Sequence, residues 1–230
     1  MKKLLLFIGL GAVVVIGLAF AGWWFFLKSD PEPRAAIVET PVQESETADA
    51  TGPSGTFSVA PGDTNNFVGY RVTEKLVASV VESTATGRTN NVTASLTIDG
   101  TTVSDVTVEA DLRDLKSDNG FRDGRLHSSG LESDQFPQAK FVLAEPITLP
   151  SVPGVGETIT TEGTGDFTLH GVTKRVTIPL EGRWDGTDVQ VVGHLPIVMG
   201  DYNITPPTAP AVASVDDHGE MEFQLFFKKG

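Results

Sequence analysis

The residues with chemistry to offer are few and scattered. Four histidines, His127, His170, His194 and His218, lie far apart, and none shows a metal-ligand spacing such as H-x3-H. There is no cysteine, which removes disulfides, thiolate metal sites and a lipidated cysteine together. Ser128-Ser129, near His127 and Asp123, has the residue types of a hydrolase. Neither serine sits in a G-x-S-x-G elbow, the sharp turn that presents a nucleophile. Asp216-Asp217 resembles half of a carboxylate metal site and reads as solvated loop charge. No catalytic residue, no metal site and no cofactor is therefore expected, and the chain reads as a non-enzyme. The arginines of Ser117–Glu132 stand apart from this. Arg122 and Arg125 are three apart, so a helical turn places them on one face with His127 nearby. Guanidinium forks suit phosphate or carboxylate, so the pair is a candidate for holding an oxyanion. The plainer reading is that they pair with Asp118, Asp123 or Glu132.

The elements that must position these side chains are strands. In Asp166–Leu180, Phe167 and Leu169 alternate with polar residues, and Val176, Ile178 and Leu180 do so again after HGVTKR, where Gly171 permits a reversal. The same period of two runs through Val68–Val72, Val92–Ile98, Val106–Leu112, Asp188–Leu195 and Met221–Phe227, with Asp99-Gly100 and Asp185-Gly186 as turn signals. About eight strands, each with one apolar face, predict an all-β antiparallel sandwich or closed barrel. Ser117–Glu132 breaks the rhythm and predicts a short helix or turn around Phe121–His127, lying across one end. Ile204–Pro210, with three prolines, is a second irregular crossing.

Ahead of the strands lies a different kind of sequence. Leu4–Leu27 is an unbroken uncharged run of 24 residues, long enough to span a bilayer as a helix. Lys2 and Lys3 precede it and Trp23-Trp24 sit near its far end, where amphipathic rings favour the interface. Ala19-Phe20-Ala21 allows a cleaved signal peptide as the rival reading. The expectation is an uncleaved single-pass anchor over residues 1–28 with the rest of the chain extracytoplasmic. Residues 29–55, rich in Pro, Thr, Ser and Glu, predict an acidic, flexible linker acting as a stalk. Residues 56–230 form the globular domain. The net charge of −13 argues against nucleic acid as a partner, because such binding neutralises phosphates with basic groups.

FTLHGVTKRVTIPL, with the upstream SDNGFRDGRLHSSGLESDQFPQAKF, resembles the YceI-like family. Phe136-Pro137 ahead of Phe141, and the HGVT hairpin, carry that likeness. Gly69-Tyr70-Arg71-Val72 and Thr86-Gly87-Arg88-Thr89 resemble the version in membrane-anchored Gram-positive relatives. The resemblance covers about residues 56–230. It implies a lipocalin-like antiparallel barrel of about eight strands with a short crossing helix. It also implies a long apolar partner, polyisoprenoid or fatty-acyl, held inside. Strand parity nominates Tyr70, Val72, Leu96, Phe141, Phe167, Ile178, Trp184 and Phe223 as lining residues, with Arg122 and Arg125 at the mouth. Small inward residues, Ala94, Ala110, Gly165 and Gly193, either leave room for a chain or sit at barrel corners. A barrel filled by its own side chains, serving as a structural or interaction domain, is the alternative.

Overall fold

The computed structural model describes residues 30–39, 52–77, 82–207 and 212–230. Its strands are β1 (Gly55–Val59), β2 (Phe67–Leu76), β3 (Glu82–Thr89), β4 (Val92–Asp99), β5 (Thr102–Asp111) and β6 (Lys116–Ser117). They continue with β7 (Gln138–Leu143), β8 (Ile147–Thr148), β9 (Thr158–Leu169), β10 (Val172–Trp184), β11 (Val189–Val198) and β12 (Val212–Lys229). All pairings are antiparallel. The order β1-β4-β5-β7-β9-β10-β11-β12 closes on itself, because β1 pairs with β4 on one side and with the end of β12 on the other. That eight-strand ring decides between the sandwich and the barrel that the alternation allowed, in favour of the barrel that the resemblance implied. The long β12 also carries β2, β3 and β6 as a wall extending from its N-terminal half.

Local rules place the connections. His170 and Gly171, with φ of 49° and 73°, form a two-residue turn, so Val172–Arg175 are already strand and the reversal is shorter than HGVTKR. In β5 the parity shifts. Asp105, with φ of 53°, is an extra residue against β4, and as a result Val103 and Val106 both face inward. The irregular segment contains helix α1 (Gly120–Arg125), capped by the Asn119 carbonyl side chain accepting from the Phe121 and Arg122 amides. One π-type turn over Leu126–Gly130 follows.

The linker expectation needs correction over residues 30–39. These do not hang free. They cross the outside of the barrel from β3 over β2 and β12 to β11, as a strap. The Asp30 amide donates to Asp118 and the Glu32 amide to Thr86 Oγ1. Arg71 and Arg88 donate to the carbonyls of Glu32 and Pro33. The Ala35 amide donates to Glu222 Oε2 at 3.1 Å, the Val38 amide donates to Gln190 Oε1, and Gln190 returns a bond to the Ala36 carbonyl. Ala35, 5% exposed, packs between Phe67 and Val192. Compositional reasoning missed this because the seat is polar and backbone-directed. It needs matching acceptors on the barrel, not an apolar stripe in the linker. The rest of the linker (residues 40–51) and the proposed anchor Leu4–Leu27 lie outside the described residues. Among the described residues no helix is long and apolar enough to cross a membrane.

Candidate functional site

Inward-facing side chains of the ring, joined by those of β2 and β3, line two apolar chambers. The upper one, about 140 Å³, is lined by Leu96, Val106, Ala110, Ile178, Trp184 and Leu225 among others. The lower one, about 130 Å³, lies beneath α1 between Tyr70, Val72, Leu115, Leu126, Ile204 and Pro207. Val68, Ala139, Phe167 and Met221 border both, so the two chambers meet end to end with Phe167 as part of the partition. Each is near the size of a dry cavity of about 150 Å³ that accepts one benzene.

Of the residues nominated from the sequence, Leu96, Phe141, Phe167, Ile178, Trp184 and Phe223 line the upper chamber. Tyr70, Val72, Phe167 and Arg122 line the lower one. Arg125 is exposed and outside the lining of either. Arg122 is held by acids, Asp118, one of the partners the plainer reading named, and Glu74 Oε1 at 2.8 Å, which it did not name. The two arginines therefore do not form a joint headgroup clamp, since α1 turns one onto Glu74 and the other to solvent.

The small inward residues divide. Ala110 and Ala139 are cross-strand partners and both border the upper chamber. Gly165 and Gly193 leave no empty space, because a Cβ there would collide with the rings of Phe141 and Phe223. Gly87 seats the Tyr70 ring in the same way. The Tyr70 hydroxyl is buried with no hydrogen-bond partner among the described residues. Burial, reinforced by the nearby carboxylates of Asp123, Glu74 and Asp118 against the opposing Arg122, pushes its ionisation far up.

The motif residues serve the frame of the site. Phe136 stacks on His170 with ring centroids 4.2 Å apart and covers Gly171, where a side chain would clash with it. His170 faces Glu132 Oε2 at 3.0 Å and the Tyr202 carbonyl at 3.1 Å. The turn of the β9–β10 hairpin is thus clasped to the segment that follows α1. His127 meets Ser133 Oγ and the Leu115 carbonyl. One donor cluster emerges that sequence spacing did not show. His194, Glu220 and Glu222 bring ligand-type atoms within 4.8 Å of one another on the outside of the barrel. Glu222, fully buried under the strap, already accepts from Arg88 at 3.0 Å and Arg71 at 3.4 Å, so its charge is balanced by guanidinium groups. Cross-strand partners on adjacent strands carry this seat, a signal that a linear pattern of alternation does not contain.

The class of protein is thus an all-β closed antiparallel barrel of eight strands with a carbon-lined interior and a short helix. The chain belongs to the YceI-like domain family, which matches residues 59–227. It is 35% identical over 138 residues to the UPF0312 protein of Shewanella denitrificans, covering 56% of this chain and 69% of that one. Among solved structures it is similar to a polyisoprenoid binding domain from Saccharophagus degradans implicated in plant cell wall breakdown. There the TM-score is 0.57 and the identity 17%, over 77% of this chain and all of that one. It is also similar to BcnA of Burkholderia cenocepacia, with a TM-score of 0.50 and 18% identity over 70% of this chain and 95% of that one. At such identities the likeness is one of fold.

Proposed function

We propose that this chain is a membrane-anchored, extracytoplasmic lipid-binding protein that holds a long apolar molecule, polyisoprenoid-like or fatty-acyl, in its barrel and catalyses no reaction. The observation that carries the reading is the pair of abutting carbon-lined chambers running along the barrel. The polyisoprenoid binding named for the Saccharophagus domain supports the ligand class. The apolar run Leu4–Leu27 behind Lys2 and Lys3 supports the anchor and its orientation.

Magnitudes favour a chain over a compact ligand. Burial contributes about 0.8 kcal/mol per CH2, so roughly five carbons in one chamber gain about 4 kcal/mol. Association costs about 4–15 kcal/mol, so a ligand confined to one chamber is held only weakly. A flexible chain threading both chambers, displacing the Phe167 ring between them, doubles the gain. The rings seated on Gly165 and Gly193 favour the alternative, a side-chain-filled structural domain, to the extent that they do not move.

Mass spectrometry of organic extracts from gently purified protein tests this. A near-stoichiometric lipid is expected, and Ala110→Leu, which fills the upper chamber, should remove it while the barrel stays folded. Empty extracts, with no uptake of polyprenyl or fatty-acyl probes at micromolar concentration, would leave the structural reading in its place.

A further inference from the structure

The strap has a direction. Asp30 sits at Asp118, just ahead of α1 and paired with Arg122 of the lower chamber's lining, and residues 35–38 lie against Glu222 and Gln190, the latter between Val189 and Val191 of the upper chamber. Asp30, the first described residue, therefore sits at the α1 end. Only Lys28 and Ser29 separate Leu27 from Asp30, and three residue steps span at most about 11 Å. The α1 end also carries two large exposed apolar side chains, Phe121 at 69% and Val77 at 65% exposure.

We infer that the strap holds the barrel with its α1 end against the lipid bilayer, so that the lower chamber exchanges its apolar ligand directly with the membrane. This rests on the anchor reading above. The net charge works against such a contact, since the chain as a whole is acidic, although Glu74 and Asp118 at this end are already paired with Arg122. Proximity thus comes from the strap and from the shortness of the connection, not from attraction. The advantage is kinetic. Bilayer and barrel interior are both apolar, so transfer between them is close to balanced, and the barrier is the stretch of water crossed on the way. A mouth held at the headgroups shortens that stretch. The strap gives Arg71, Arg88 and the buried Glu222 a shared purpose that the interior does not require: they fix which way the barrel faces.

The absence of native cysteine makes the test direct. The full chain is reconstituted in phosphatidylcholine vesicles containing headgroup-proximal doxyl-phosphatidylcholine. A fluorophore is placed at Ser128→Cys beside α1, or at Thr187→Cys in the exposed β10–β11 turn at the far end. The Ser128 label should be quenched several-fold more than the Thr187 label. Inserting about twenty Gly/Ser residues between Ser29 and Asp30, with a root-mean-square span of about 25 Å, should abolish that difference and slow uptake of a fluorescent fatty-acyl probe from the vesicles. Protein that floats with the vesicles but shows equal quenching at both labels overturns the inference and leaves the anchor standing. Protein that does not float overturns both.

Discussion

Phe167 is the most informative residue to remove. Its ring is 3% exposed and borders both chambers, with an edge contact to Tyr202 at 5.7 Å between centroids. Phe167→Ala removes the transfer gain of the ring and opens the partition, a loss of about 3–5 kcal/mol for a buried phenylalanine. The hydrogen-bonded ring of strands resists collapse into the gap, and each 50 Å³ left empty adds about 1.2 kcal/mol, so the upper half of that range is expected. For a domain of this size the melting temperature should fall by roughly 6–20 °C. The capacity for an apolar probe should rise as the two chambers become one. Urea denaturation measures the first effect and titration with a solvatochromic fatty-acyl probe the second. A loss below about 1 kcal/mol with unchanged probe capacity would refute the partition, since a surface-like cost means the ring is not packed between two voids.

Two further outcomes follow from the strap seat and the lower chamber. Glu222→Ala leaves Arg71 and Arg88 facing each other without their carboxylate and should cost about 3–5 kcal/mol by thermal or urea unfolding, far above a surface glutamate. Tyr70→Phe removes a buried hydroxyl with no partner and should be neutral or stabilising by up to about 1 kcal/mol. Because ionisation of Tyr70 is pushed up in the fold, its contribution to stability is complete below the ordinary tyrosine range and is lost as pH rises through it, when only the unfolded chain ionises. Stability of the native chain should accordingly fall more steeply than that of Tyr70→Phe above about pH 10.

Alternation was enough to read the strands and most of their inward faces, because a residue two along a strand returns to the same side whatever the partner strand does, but it left sandwich and barrel open. Val103 escaped it, since the bulge at Asp105 changes parity in a way that only pairing reveals. The glycine seats escaped it too. Gly165 is inward in both readings, but whether it opens space depends on the Phe141 ring from a neighbouring strand. The strap was hidden for a different reason. Pro33, Ala35 and Ala36 carry no pattern of their own, and the groups that bind them, Arg71, Arg88, Gln190 and Glu222, face outward and look like ordinary solvated charge until brought together. Arg122 shows the limit of spacing: helical period put it on one face with Arg125, yet only Arg122 reaches the chamber lining, and its commitment to Glu74 required knowing where β2 runs.

The ring is sealed by its two most distant strands. Phe57 and Ser58 of β1 meet Lys229 and Lys228 of β12, a seam of two residue pairs, while every other pairing in the ring is longer. A nascent chain therefore has β1 and β4 side by side early but cannot shut the cylinder until nearly the whole domain has emerged. Long-range closures of this kind come late in folding. Up to that moment the interior is an open, apolar trough. A greasy molecule lying in it before the seam forms would be enclosed without threading past α1, so on the proposed function loading during biogenesis and exchange through the mouth would be separate events with separate rates.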